Sequence, residues 1–526
     1  MVTEFDVIVI GAGHNGLTTA AYLAKSDRRV LVLERRPVVG GAAVTETFHP
    51  GFRNSLASYT VSLLHPKVIE DLALKSHGLD IVERPFGNFL PLPDGDFLAS
   101  GKDLHETKSR FARHSARDAE RLEDYYAWLE GAANILRGEL LRRPPDIGGG
   151  LAQWWQSGLL ANRLRKHNSA AHEALFELFT RSAAEILAHW FENPHIRALF
   201  GFDAIVGNFA SPYDAGSGYV LLHHVFGEVN GKSGAWGHAI GGMGSISEAI
   251  ADAARRAGAE IRCNCAVDRV STTRGRVDGV ITHSGEHIRA PVVAANCTPK
   301  HLLLDLVSDD QIDAVHRERI ERTRYGSGTF RMNVALSGLP EFAAHPEGED
   351  YLSSGIIIAP TLDYMDRAYR DARSDGWSRE PVVEMLIPST LDNTLAPPGQ
   401  HVASLFCQHV APRLSKGRSW ADYRETVADL MIDTVERYAP GFAKLVIARR
   451  VLTPQDLEVE LGLTGGDIFH GALSLSQLYS ARPAIGMARY AMPVQGLYLC
   501  GAGAHPGGGV TGIPGHNAAM AILDAT

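Results

Sequence analysis

The chain has 526 residues, with 51 Lys plus Arg against 60 Asp plus Glu and a formal net charge of −9. That balance leaves no basic footprint for nucleic acid, and the length is too great for one small core, so two domains are expected. No run reaches the roughly twenty apolar residues that a membrane-spanning helix needs. The five cysteines, Cys263, Cys265, Cys297, Cys407 and Cys500, include no C-x-x-C pair for thiol–disulfide chemistry.

Taken in order, Phe5 to Ile10 reads FDVIVI, a β-branched run suited to a strand buried on both faces of a parallel sheet. A strand starting this early leaves no room for a signal peptide, and a cytoplasmic location follows as the expectation. Gly11-Ala12-Gly13-His14-Asn15-Gly16 comes next, then a helical stretch from Leu17 to Ser26 and a second strand, Val30 to Leu33, closed by Glu34. This is G-x-G-x-x-G in strand–turn–helix–strand context, with an acid about twenty residues on. Gly11 permits the tight turn, Gly13 lets backbone amides approach a diphosphate, and Gly16 allows close helix–strand packing. His14 and Asn15 stand at the helix N-terminus, which favours an anion. Glu34 can accept from ribose hydroxyls and would repel a 2′-phosphate. A dinucleotide site is expected, the alternative being a glycine-rich turn of another α/β protein.

Past the second strand, ERRPVVGGAA resembles the E-x5-G-G signature of the flavin amine oxidase and phytoene desaturase superfamily. The resemblance implies FAD, with Gly40 and Gly41 letting the chain pass close to the flavin and diphosphate. Relatives usually carry Arg after the glycine pair; this chain has Ala42, and Arg35 or Arg36 is the candidate replacement.

Thr45 to Leu64 has no clean period; Arg53, Asn54, Ser58 and Tyr59 are candidates to face a substrate, with a surface loop as the alternative. Residues 66–200 read as mainly helical. Ser115 to Leu136 places Leu122, Tyr125, Tyr126, Leu129 and Ile135 on an apolar face. A break at Pro144-Pro145 and Gly148-Gly149-Gly150 precedes LAQWWQSGLLANRLRK. There Trp154, Trp155, Leu159 and Leu160 adjoin Arg163, Arg165 and Lys166, which fits either a helix lying on a membrane surface or one packing its Trp side inward. A single helix is expected from Ala170 to Phe191. Residues 200–236 suit loops and short helices over a pocket that Tyr219, His223, His224 and Trp236 would line. His223 and His224 must point to different faces. No acids stand near them at metal spacing, so no metal is expected.

Gly241-Gly242-Met243-Gly244, a helix from Ser245 to Gly258 and a strand from Glu260 resemble the same family's middle segment, which implies that Val267 holds the adenine through its backbone. Pro291 to Ala295 is a further strand. Strand-like runs at Thr329 to Leu336, Val382 to Ile387, Val402 to His409 and Leu445 to Val451, with a helix from Trp420 to Tyr438, suggest an α+β domain on a mixed or antiparallel sheet. The glycine-rich stretch around His470 could sit against the pocket or form a plain loop.

Near the end, a strand from Gly496 to Cys500 leads into Gly501-Ala502-Gly503-Ala504-His505-Pro506-Gly507-Gly508-Gly509-Val510-Thr511-Gly512-Ile513-Pro514-Gly515, seven glycines in fifteen residues before a helix. Such a stretch offers backbone to a ligand. GAGAHPGGGV resembles the G-A-G-x-H-P-G-x-G motif of bacterial phytoene desaturases and carotenoid oxidoreductases, including the branch labelled pyridine nucleotide-disulfide oxidoreductase domain-containing. The resemblance implies an α/β fold: a Rossmann-like FAD-binding domain (1–75, 236–305, 486–526) with an inserted α+β substrate domain and helical cap (76–235, 306–485). It further implies non-covalent FAD held by Gly501, Gly503, Thr511, Gly512 and Ile513, and hydride transfer between flavin N5 and an apolar small molecule. Peripheral membrane contact and a homodimer are the partner modes that fit. His505 is the candidate to touch flavin or substrate, a loop-capping histidine being the alternative. Competing functions are an amine or amino-acid oxidase, and a flavin-binding protein with an isomerase or non-catalytic role.

Overall fold

A computed structural model describes residues 5–101, 103–147, 149–346 and 350–526; Gly148, in the Pro/Gly break, lies outside these. The first strand, Val7–Ile10, and the second, Val30–Leu33, are buried throughout. They are the centre of a five-stranded parallel sheet, ordered 260–262, 30–33, 7–10, 292–295, 497–499. Val7 pairs with Val30 on one side and Val292 on the other. A central strand of this kind has no polar face, which is why its sequence shows no alternation. The helix His14–Ala24 packs against two others, Gly244–Arg256 and Ile513–Leu523. A three-stranded antiparallel sheet (267–273, 276–282, 287–289) adds Val270, Val277, Val280 and Ile288 to the same core.

The second sheet has seven strands, ordered 446–452, 330–336, 401–410, 377–386, 355–358, 88–91, 97–99. It is mixed: 88–91 runs parallel to 355–358 and the remaining pairs are antiparallel. Its side chains alternate between two cores, as a pleated strand covered on both faces requires. Ile357, Val382 and Phe406 face the helices of residues 116–201. Ile356, Ile358, Val383, Leu405 and Cys407 face the helix Trp420–Glu436.

Residues 66–200 are mainly helical, as expected, with Asn88–Pro91 and Phe97–Ala99 forming a hairpin around Asp94-Gly95, turn chemistry that favours tight reversal. Two expectations need correction. The single helix expected from Ala170 to Phe191 is two, Ser169–Thr180 and Ala183–Trp190, because Ser182 and Glu185 form a capping box that starts the second. The helix Leu151–Leu164 does not pack its Trp side inward. It buries no residue, and Leu151, Trp154 and Trp155 are 88%, 74% and 70% exposed. Polar contacts hold it: Arg163 reaches both Glu139 carboxylate oxygens at 2.7 Å, and Gln153 Oε1 accepts from the Asp146 amide at 3.0 Å.

Candidate functional site

The carboxyl end of the parallel sheet opens on a cleft, where ligands of open α/β folds bind. Gly11, at φ +90°, turns the chain out of the first strand. Gly13 caps the following helix without a side chain, so no side chain competes for its first N–H groups. A Cβ on Gly16 would stand 2.2 Å from the Gly11 carbonyl oxygen, so only glycine lets helix and loop meet. Glu34 fixes the loop from the second strand: one oxygen accepts from the Ala12 amide at 2.8 Å, the other from the Arg36 amide at 2.9 Å. Gly40 donates its N–H to the Ala12 carbonyl at 2.8 Å, which brings the glycine pair alongside.

Gly11, Gly13, His14, Asn15, Glu34, Arg35, Gly41, Ala42 and Val267 all line this cleft; Gly16 and Gly40 support it from behind. Four buried polar atoms of its lining residues have no partner: His14 Nε2, Asn15 Oδ1, Arg36 Nη1 and His470 Nδ1. Burial holds His14 near a pKa of about 4 and His470 near about 3, so both rings are neutral. Buried groups of this kind want hydrogen-bonding partners, and the set suits the diphosphate and ribose of FAD. The two cations differ. Arg35 Nη2 is taken by the Val459 and Glu460 carbonyls, both at 2.9 Å. Arg36 pairs with Glu46 through Nη2 and leaves Nη1 unpaired, so Arg36 is the better stand-in for the cation that Ala42 omits. Asn296 lines the cleft and packs against Gly11, Gly13 and Gly16. Sequence reading assigned it no role, although its place just past the strand Val292–Ala295, at the sheet's carboxyl end, is the signal that marks it.

The C-terminal glycine loop walls a second cavity. Thr511 and Ile513 line it, with Leu63, Leu64, Leu140 and Phe226. Thr511 Oγ1 accepts from the Ile513 amide at 3.1 Å, and Gly512, at φ +72°, caps the helix Ile513–Leu523. Gly501 and Gly503 press against Asn296 and Pro299, where a Cβ would stand at 3.1 and 2.4 Å. His505 lines neither cavity. Its Nε2 lies 3.2 Å from the Glu139 carbonyl, its ring meets Tyr479 edge-on at 5.2 Å, and its own carbonyl accepts from Tyr490 at 2.7 Å. That geometry ties the loop to the helix Ala116–Leu140.

The substrate-side candidates separate. His223 lines the second cavity with both ring nitrogens unpartnered, and burial lowers its pKa well below the usual value. Tyr219 is buried against Phe179 at 5.1 Å. Tyr59 donates to Glu384 inside a buried polar cluster that also holds Arg84 and Arg331, whose guanidinium carbon lies 4.5 Å from the centre of the Tyr59 ring. Trp236 lies elsewhere, stacked on His224 at 6.1 Å. Glu384 and Arg331 escaped sequence reading because each is a single charged residue within a mainly apolar run, PVVEML and FRMNVAL.

Two glycine loops at the carboxyl end of one parallel sheet, an acid that fixes the first of them from the second strand, and unpaired buried donors and acceptors define a flavin-dependent oxidoreductase. The model of flavin containing amine oxidoreductases matches residues 16–329. Pyridine nucleotide-disulfide oxidoreductase domain-containing protein 2 of Rattus norvegicus is 40% identical, covering 99% of this chain and 93% of its own length. The lycopene-forming phytoene desaturase of Pantoea ananas is 23% identical over 98% of both chains. A structure of putrescine oxidase bound to putrescine superposes with a TM-score of 0.62 at 15% identity over 99% of both, a likeness of fold. The chain belongs to the flavin containing amine oxidoreductase family and is an FAD-dependent oxidoreductase.

Proposed function

We propose that this enzyme moves a hydride between flavin and the carbon chain of an apolar, isoprenoid-like substrate, as phytoene desaturases do. One observation carries this. The cavity beside the C-terminal glycine loop is walled mainly by Leu63, Leu64, Pro66, Leu140, Phe226 and Ile513, with Arg137 and Glu228 as the charged residues of its lining, and among the described residues neither it nor the cofactor cleft is lined by any Tyr or Trp. An aromatic pair flanking an amine over the flavin therefore has no candidate there. The end-to-end similarity to a phytoene desaturase supports the same substrate class. Bound FAD supplies the redox chemistry. The chain's residues orient the substrate, and the apolar part of the wall excludes water. The test is an absorbance spectrum recorded anaerobically before and after addition of a carotenoid precursor and, separately, of an amine. Flavin bleached by the polyene is expected. Bleaching by the amine alone would replace this function with amine oxidation.

An apolar substrate resides in bilayers, and we propose that the helix Leu151–Leu164 rests on one. It exposes Leu151, Trp154 and Trp155 near its start and is followed by Arg165 and Lys166 at its end, and residues 149–172 contain no Asp or Glu. Such a face complements an anionic lipid surface. The protein is expected to sediment with phosphatidylglycerol-containing vesicles, and Trp154→Ser with Trp155→Ser to lower that partition roughly tenfold. Equal sedimentation of variant and parent would remove the membrane contact. Among the described residues no helix is long and apolar enough to cross a membrane.

A further inference from the structure

Arg137 and Glu228 are the two charged residues lining the cavity beside the C-terminal glycine loop. The guanidinium is already spent. Arg137 Nε donates to the Phe226 carbonyl at 3.1 Å, Nη1 to Glu130 and Asn134 at 2.5 and 3.0 Å, and Nη2 to Glu130 and the Val225 carbonyl at 3.1 and 2.6 Å. Those five bonds use all five N–H donors of the side chain. A diphosphate or carboxylate entering this cavity would therefore find no unengaged guanidinium and would meet the like charge of Glu228, an arrangement that disfavours burying an anion.

Two histidines of the same lining still have capacity. His65 Nδ1 accepts from the Lys67 amide at 3.1 Å, so the ring's proton sits on Nε2 and can be donated. His223, 4% exposed, has no partner at either ring nitrogen. Its neighbours are the rings of Tyr219, Phe226 and Phe469, with centres 6.4, 5.9 and 5.5 Å away. Burial keeps the imidazole neutral, and His224 and Arg482 oppose a positive charge on it as well. A neutral imidazole carries one donor and one acceptor, and leaving both unmade in a buried site is costly. A hydroxyl pairs with either kind of nitrogen, accepting from N–H or donating to the lone pair. An ether or carbonyl oxygen can only accept, and a hydrocarbon end pairs with neither.

We propose that the substrate is an isoprenoid alcohol, and that His223 selects it by hydrogen-bonding the hydroxyl, with His65 as a second donor of the same cavity. This rests on the reading of the cavity as the substrate's, and it narrows the substrate class from apolar chains in general to chains with one uncharged hydroxyl. Leu63, Leu64, Leu140 and Ile513 supply the contact for the chain. His223 is a specificity residue in this scheme: a site built to hydrogen-bond a hydroxyl rejects the analogue that lacks it, because its own buried polar atoms are then left unpaired.

The experiment measures binding of farnesol, farnesene and farnesoate to the purified flavoprotein by anaerobic equilibrium dialysis, three probes that share one chain and differ at its end. Farnesol is expected to bind at least tenfold more tightly than farnesene and than farnesoate, an order read on the parent protein and independent of any variant. In His223→Phe, which keeps a ring and removes both nitrogens, the preference for farnesol over farnesene is expected to fall to less than threefold. Equal binding of farnesol and farnesene, tighter binding of farnesoate, or a full preference in the folded variant would overturn the proposal. With flavin still bleached by the carotenoid precursor, those results would leave the isoprenoid function standing. Binding of none of the three probes, with bleaching by an amine alone, would remove the isoprenoid function and this proposal together.

Discussion

Replacing Gly16 by Ala is expected to yield a protein that purifies without flavin and is about 3 kcal/mol less stable, near the upper end of overpacking costs. The new methyl carbon would stand 2.2 Å from the Gly11 carbonyl oxygen and 3.0 Å from Asn296 Cβ. The first contact is with backbone, which has no rotamer to change. The helix His14–Ala24 must therefore lift from the loop, and its N-terminus leaves the diphosphate position. Gly138→Ala is the control. It lies on the exposed side of the helix Ala116–Leu140, where a Cβ meets nothing within 4 Å, and is expected to stabilise the chain by about 0.5–1 kcal/mol through helix propensity. Absorbance of the purified variants and urea midpoints check both. A yellow Gly16→Ala protein with an unchanged midpoint would mean that the loop yields where the packing says it cannot.

The second large effect is expected at Arg482, 1% exposed and surrounded by carbonyls. Its guanidinium donates to Ala502 at 2.8 and 3.3 Å, to Gln477 at 3.2 Å, to Gly471 at 3.4 Å and to Phe469. One side chain thus joins the 469–477 loop to the glycine loop at the flavin end. Burial lowers its pKa, and nearby Asp467 opposes that. Arg482→Met keeps the volume and removes every donor, leaving several buried carbonyls unpaired. A loss of about 3–5 kcal/mol is expected, with weakened flavin retention. Arg482→Lys, with fewer and differently directed donors, is expected to fall between. A Met variant as stable as the parent would show that water replaces the guanidinium.

The cofactor half was legible in the sequence because its chemistry is written in contiguous residues. Gly11 to Gly16, Glu34 and the Gly40-Gly41 pair act within one short stretch, and the backbone they shape is the site. The residues that sequence reading passed over act across distance. Asn296 matters because its strand ends beside the first one, and Arg331 and Glu384 because a sheet brings them to Tyr59. His224 stands in a stretch expected to cover a pocket, yet which of its ring nitrogens is engaged depends on the carbonyl of Val220 one turn away. Trp154 and Trp155 fitted two opposite readings because an amphipathic pattern names a face without naming what covers it.

The order of the parallel sheet has a consequence for how the protein comes to exist. Its edge strand, Leu497–Leu499, and the helix Ile513–Leu523 lie against elements made first: Val293 pairs with Leu497, and Thr19 donates to the Gly515 carbonyl at 3.0 Å. The opening strand gains one neighbour early, at Val30, whereas its other side waits for Val292, and the helix His14–Ala24 waits first for Gly244–Arg256 and last for Ile513–Leu523. A chain stopped before Leu497 therefore keeps a glycine-rich turn and most of the sheet but lacks the edge strand and the second glycine loop, and has no complete place to hold the cofactor.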